Sequence, residues 1–205
     1  ALKRLEVAKR IPNIPVFVDS PLTVNITEVF RLHTGLFDDE IRDLMNNSGD
    51  PFELVNIQYI RNVEQSKQLN SLTKPAIIIS ASGMCEFGRI LHHLRNNITD
   101  EKNTVLIIGF QAKNTLGRRI VERDMEVKIF GMKVPLHAEV KVLNTLSAHA
   151  GRSELLDFGR RFKDRAEKIM LVHGEEEELN ALKEGLEAEG CKNVIIMAPG
   201  EPVTI

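Results

Sequence analysis

The chain has 205 residues, 42% of them hydrophobic and 27% charged, with a formal net charge of −2. That length is enough for one large or two small domains around a real core, with the composition of an ordinary globular protein. The charge excludes a generally basic nucleic-acid coat, no apolar run approaches the roughly 20 residues of a membrane span, and two distant cysteines, Cys85 and Cys191, exclude a disulfide framework or a zinc knuckle.

Short apolar runs recur along the chain, each followed by a turn and an amphipathic stretch. Val16-Phe17-Val18, Ala76-Ile77-Ile78-Ile79 and Val105-Leu106-Ile107-Ile108 read as buried strands, rich in β-branched residues and without polar alternation. After the first, Ser20 is placed as an N-cap and Pro21 as the first helical residue, with Leu22, Ile26, Val29 and Phe30 on one face. A second helix is expected over Asp38 to Met45, then a turn over Asn46 to Pro51. Phe87, Ile90, Leu91, Leu94 and Ile98 form another apolar stripe, from which His92 points away and on whose flank His93 lies as a surface or edge histidine. Val127 to Leu136 suggests a hairpin turning at Gly131, and helices are expected at Ser153 to Phe162 and Glu176 to Glu189. The alternation implies an α/β fold with a doubly wound, mainly parallel sheet.

Two histidines follow strand-like runs in matched settings: His149 after Val140 to Leu146, and His173 after Ile169 to Val172. Strand ends that open into helices are where α/β folds present ligand-binding groups. Imidazoles there can act as metal ligand or proton donor. Ser147, Ala150 and Gly151 around His149 read either as an anion nest or as a plain serine-containing cap. Ser80, Ser82 and Gly83 offer a similar loop after the Ala76 strand, and Gly109, Gln111, Lys113, Thr115 and Arg118 repeat the pattern after the next, suggesting a rim that tracks a polyphosphate chain. Basic clusters at Arg118-Arg119, Arg160-Arg161 and Arg89 with Arg95 are candidate phosphate contacts or solvated surface. Asp19, ending the first strand without a paired carboxylate, is expected to cap or hydrogen-bond there. One Tyr, nine Phe and no Trp leave little for base stacking.

Five ordered segments carry a family resemblance: Val18-Asp19-Ser20-Pro21-Leu22-Thr23, Ser82-Gly83-Met84-Cys85-Glu86-Phe87-Gly88-Arg89, Gly109-Phe110-Gln111-Ala112-Lys113-Asn114-Thr115-Leu116-Gly117-Arg118, Ser147-Ala148-His149-Ala150-Gly151 and Leu171-Val172-His173-Gly174-Glu175. Together they resemble the β-CASP branch of the metallo-β-lactamase nucleases, which includes RNA-degrading enzymes. The resemblance implies a β-CASP domain over residues 1–137 and the returning end of the nuclease domain over 138–205. It implies a zinc-dependent ribonuclease as the parent protein, with two zinc ions, His173 as a zinc ligand and His149 beside the scissile phosphate. It further implies RNA contacts from Ser82, Gly83, Arg89, Lys113, Thr115, Arg118, Ser147, Ala150 and Gly151. The family's HxHxDH motif is missing; with no HxH pair among six histidines, the chain is expected to be an inactive excised piece holding no zinc alone. Expected partners are RNA, the missing N-terminal portion and a second copy in a homodimer, with no membrane, in the cytoplasm. The alternative is a non-catalytic paralogue acting as an RNA-binding or complex scaffold.

Overall fold

A fully apolar run closed by one carboxylate, Val16-Phe17-Val18-Asp19, becomes a strand with all four residues buried, and much of the first half of the molecule is organised around it. The computed structural model describes residues 1–198 together with Gly200 and Pro202. In chain order the elements are α1 (Leu2–Val7), β1 (Val16–Asp19), α2 (Pro21–Leu32), α3 (Asp39–Ser48), β2 (Ile57–Tyr59), α4 (Val63–Gln68), β3 (Ile77–Ser80), α5 (Ile90–Asn97), β4 (Thr104–Ile107), α6 (Leu116–Glu122), β5 (Glu126–Ile129), β6 (Met132–Pro135), β7 (Glu139–Val142), α7 (Arg152–Arg160), β8 (Ile169–Leu171), α8 (Glu176–Ala188) and β9 (Val194–Ile196). They form two compact units, Ala1–Ser147 and Ala148–Ile205.

The first unit is α/β with parallel pairing, as expected, but its strands are shared among small ladders. β1 is central in a parallel sheet of order β2-β1-β3, β4 pairs in parallel with β7, and β5 pairs antiparallel with β6. The expected neighbours β3 and β4 therefore belong to different ladders. Apolar runs identify strands locally, whereas pairing is set by contacts far apart in sequence. The β5–β6 hairpin closes through Phe130 and Gly131, both at positive φ (50° and 78°), as a two-residue type I′ turn requires. The main core gathers Leu94 and Ile98 from α5 and its end, Ile107, Ile120, Val127, Ile129, Val134 and Val140. Truncating a side chain such as Ile98, wholly buried, would cost about 2–5 kcal/mol.

Helix starts follow local chemistry. Ser20 Oγ accepts from Thr23 N at 3.2 Å with Pro21 next, and Asp38 Oδ1 accepts from Ile41 N at 2.8 Å. α3 runs three residues past the expected Met45 and stops at Gly49, where φ is 77°. One helix face differs from expectation. Leu22, Ile26, Val29 and Phe30 lie 44–66% exposed, and α2 buries Val24 and Thr27 instead. Thr27 satisfies its hydroxyl by donating to Thr23 O at 2.8 Å, which lets a polar residue occupy the inner face.

In the second unit, β8 and β9 pair in parallel. Leu171, Leu186, Cys191 and Val194 form a separate core, with Leu179 and Leu182 packed against it as the leucine spacing of α8 implies. Both cysteines are free and buried, and burial, with the nearby Glu86 carboxylate, pushes the Cys85 thiol up to about 11, which suppresses its reactivity.

Candidate nucleic-acid interface

The end of β1 is where the first unit concentrates its buried polar groups. With β2 and β3 on either side, Asp19 is carried into the interior, and its side chain is 0% exposed. Arg89 Nη1 donates to Asp19 Oδ1 at 2.6 Å, while Ser66 Oγ and His93 Nε2 share Oδ2 at 2.5 and 2.7 Å. A carboxylate only accepts, so His93 Nε2 carries the hydrogen. Arg89 also donates to the carbonyls of Ile60 (3.2 Å) and Arg61 (3.5 Å), and Ser80 Oγ to the Asp19 carbonyl (2.9 Å). Burial alone would raise the pKa of Asp19. The hydrogen bonds from Ser66, His93 and Arg89, with the guanidinium charge, outweigh it and hold the carboxyl below the usual range.

This corrects the expectation for His93, which is buried (5% exposed) because it faces Asp19; His92 is the exposed one, its ring 4.8 Å from Phe130. It also bears on Arg89. Its guanidinium holds the strand end and the start of α5 together, leaving little of it for a phosphate. The sequence shows Asp19 and the helix stripe, but nothing local in it marks Ser66 as the partner of a residue 47 positions earlier.

The two phosphate-loop candidates are tied to one another. Gly117 N donates to Met84 O at 3.0 Å, Leu116 N to the Glu86 carboxylate, and Gln111 Nε2 to the Gly83, Gly109 and Phe110 carbonyls at 3.0, 3.2 and 2.9 Å. Two close approaches need glycine. A Cβ on Gly117 would lie 1.7 Å from Gln111 Oε1, and one on Gly88, at φ 87°, 2.6 Å from the Ala81 carbonyl oxygen. Ser82 Oγ accepts from Glu86 N and Phe87 N (3.3 and 3.5 Å), and Thr115 Oγ1 caps α6 through Arg118 N (3.2 Å). These hydroxyls build the turns, and the first amides of α6 already face Glu86 and Thr115. Gly83 has open space where a Cβ would stand, Lys113 is exposed, and Arg118 Nε donates to Glu122 at 2.6 Å. Glu86 and Met84 are the residues that local sequence reading leaves without a role, since each acts on the other loop, as does Gln111 through the Gly83 carbonyl.

Ser147 closes the first unit; His149, Ala150, Gly151 and His173 belong to the second, and all five are exposed. Strand β7 ends at Val142, and a short 3-10 turn over Asn144–Leu146 replaces the rest of the expected run. The Gly151 amide donates to Glu154 Oε2 at 2.7 Å, so α7 caps itself there and part of the expected anion nest is filled from within. His173 sits two residues beyond β8 in the left-handed region, φ 62°, ahead of Glu175, the N-cap of α8. Of the Arg160-Arg161 cluster, Arg160 is neutralised by its own surface, in a two-pronged pair with Glu189 at 2.8 Å on each arm.

Among the described residues no group of three or more His, Cys, Asp or Glu is placed to hold a metal ion, whereas zinc takes three or four such ligands. His173 supplies one imidazole and does not by itself make a zinc site. Among the same residues no helix is long and apolar enough to cross a membrane.

Residues 1–120 match the Beta-Casp domain family, and residues 133–197 match the Zn-dependent metallo-hydrolase RNA specificity domain. Among curated proteins the chain is 34% identical over 196 residues to ribonuclease TTHA0252 of Thermus thermophilus, an alignment covering 96% of this chain and 44% of that protein. It is 30% identical over 173 residues to transcription termination factor FttA of Methanocaldococcus jannaschii (80% of this chain, 27% of that one). An RNase J-like protein of the same organism is 28% identical over 166 residues, 81% of this chain and 37% of its own. The chain thus spans less than half the length of these relatives.

Proposed function

Because this chain belongs to the Beta-Casp family, we propose that it is the RNA-engaging part of a zinc-dependent ribonuclease that hydrolyses phosphodiester bonds. The supporting observation is that His149 and His173 are both exposed at turns leading into helices, inside the stretch matching an RNA specificity domain. In hydrolysis a water oxygen bonds to phosphorus as that water gives up one proton to the solvent, the bond from phosphorus to the ribose oxygen breaks, and the ribose oxygen departs with a proton. His149 supplies this proton from its imidazole. His173 is one zinc ligand, and the others come from outside these residues. In the first unit RNA phosphates lie along the rim of the tied loops, at Lys113, Thr115, Arg118 and the amides near Gly83, with Ser147 a further contact at its end; in the second unit Ala150 and Gly151 are the phosphate contacts beside His149. Arg89 holds that rim in place. The hand-over from the β-CASP part to the nuclease part lies near residue 137, and the protein works in the cytoplasm.

The test is a pair of variants in the full-length protein. His173→Ala is expected to lower both zinc content and RNA cleavage. His149→Ala is expected to lower cleavage by about 10²–10⁴-fold and retain zinc. Equal zinc loss in both would overturn the assignment.

A further inference from the structure

Well away in sequence from the tied loops, α2 and α3 and the turns around them enclose a cavity of about 400 Å³, within the range of sites that hold a ligand or an anchoring side chain. Its walls include Phe37, Phe52, Met45 and Pro51, and Gly49 has only open space where a Cβ would stand. Phe30, Phe37 and Phe52 form a triangular aromatic cluster with ring centroids 5.9 to 6.4 Å apart. Phe30 is also the last residue of the exposed apolar stripe on α2, so cavity and stripe are parts of one apolar track.

The charge around this track decides what fits it. Residues 21–56 carry seven carboxylates (Glu28, Asp38, Asp39, Glu40, Asp43, Asp50 and Glu53) against Arg31 and Arg42; with Arg4, paired with Glu40 at 2.6 Å, and Arg61, 3.8 Å from Glu28, the net is −3. The arginine lining the cavity is already engaged: Arg31 Nε donates to Asp50 at 2.7 Å, Nη1 to Glu28 at 3.1 Å, and its guanidinium lies 5.6 Å from the Tyr59 ring centroid. An RNA backbone would meet net repulsion here, because each nearby arginine already faces a carboxylate. A segment bearing lysines or arginines around an apolar side chain meets complementary charge and an aromatic pocket for its anchor.

We propose that the α2–α3 cavity is a docking site for a basic protein segment that inserts an apolar anchor, separate from the RNA-binding rim. The probe is the peptide acetyl-Lys-Lys-Leu-Phe-Lys-Lys-amide, titrated into the chain while the methyl resonance of Met45, one of six methionines, is followed. The Met45 methyl is expected to shift saturably, and the acidic counterpart with glutamates for lysines is expected to leave it unmoved. Asp43→Lys with Glu53→Lys, both at exposed positions, is expected to weaken binding about tenfold or more. No Met45 shift, equal affinity for the acidic peptide, an unchanged affinity in the charge-reversed variant, or a Met45 shift driven by oligouridylate would overturn the proposal.

Discussion

The ends of β1 and β8 are built from similar local sequence, an apolar strand closed by a polar residue before a helix, yet they do opposite things. At the first, Asp19 is enclosed and takes hydrogen bonds from Arg89, Ser66 and His93. At the second, His173 follows the strand on a left-handed residue and stays exposed. The difference lies in the neighbours. β1 has a strand on each side and donors from α4 and from α5 with its N-cap, whereas β8 has only β9 beside it among the described residues. A charged group at a strand end is structural when its surroundings satisfy it, and available for chemistry when they leave it open.

The sharpest way to break this comparison is to remove each group in turn. Asp19→Ala strands Arg89 and His93 in the interior and is expected to cost about 3–5 kcal/mol of unfolding free energy. His173→Asn, at an exposed site and keeping the left-handed turn, is expected to change it by no more than about 0.5 kcal/mol. Denaturant unfolding of both variants measures this, and similar losses would abolish the distinction. Next in size is Gly117→Ala. Its methyl enters the space of Gln111 Oε1, and the strain is expected to cost about 1–3 kcal/mol, checked by thermal unfolding.

The acid limb of the stability curve gives a smaller effect. The folded Asp19 carboxyl titrates below its unfolded value, so its contribution is complete above the unfolded pKa, near 3.9, and is lost as pH falls through the lower folded one. Asp19→Asn is therefore expected to flatten the fall in stability below about pH 4, by at most ~1.4 kcal/mol per pH unit. An unchanged limb, measured by unfolding at stepped pH, would show that the carboxylate is not held as described. Smallest is Lys113→Ala, expected to reduce the salt dependence of single-stranded RNA binding by a slope of about 0.7 without altering stability. An unchanged slope would remove Lys113 from the rim.

Much of this molecule was legible in its sequence. The Ser20-Pro21 start of α2, the hairpin at Gly131 and the helix beginning at Glu176 all rest on interactions within a few residues. Distant pairings escaped. The α2 stripe has core spacing, but Val24 and Thr27 face inward because that is the side where the rest of the unit lies. His93 sits at the flank of its helix stripe and is buried because Asp19, 74 positions earlier, awaits it. In the candidate interface both loops were visible as loops. Their mutual bonding through Met84, Glu86 and Gln111 was not, since each bond joins residues about 30 positions apart or points at the backbone of the other loop.

The left-handed backbone at His173 narrows the residues that natural variation can place there. A side chain at φ 62° is tolerated mainly when it is glycine, asparagine, aspartate or histidine. Of these four, only aspartate and histidine are among the common zinc ligands. Backbone geometry thus pre-selects the side chains open to drift at this position, and a need for metal binding would reduce the choice to two. It also makes asparagine, which keeps the turn while changing the donor, a cleaner replacement than alanine for separating the bend from the imidazole.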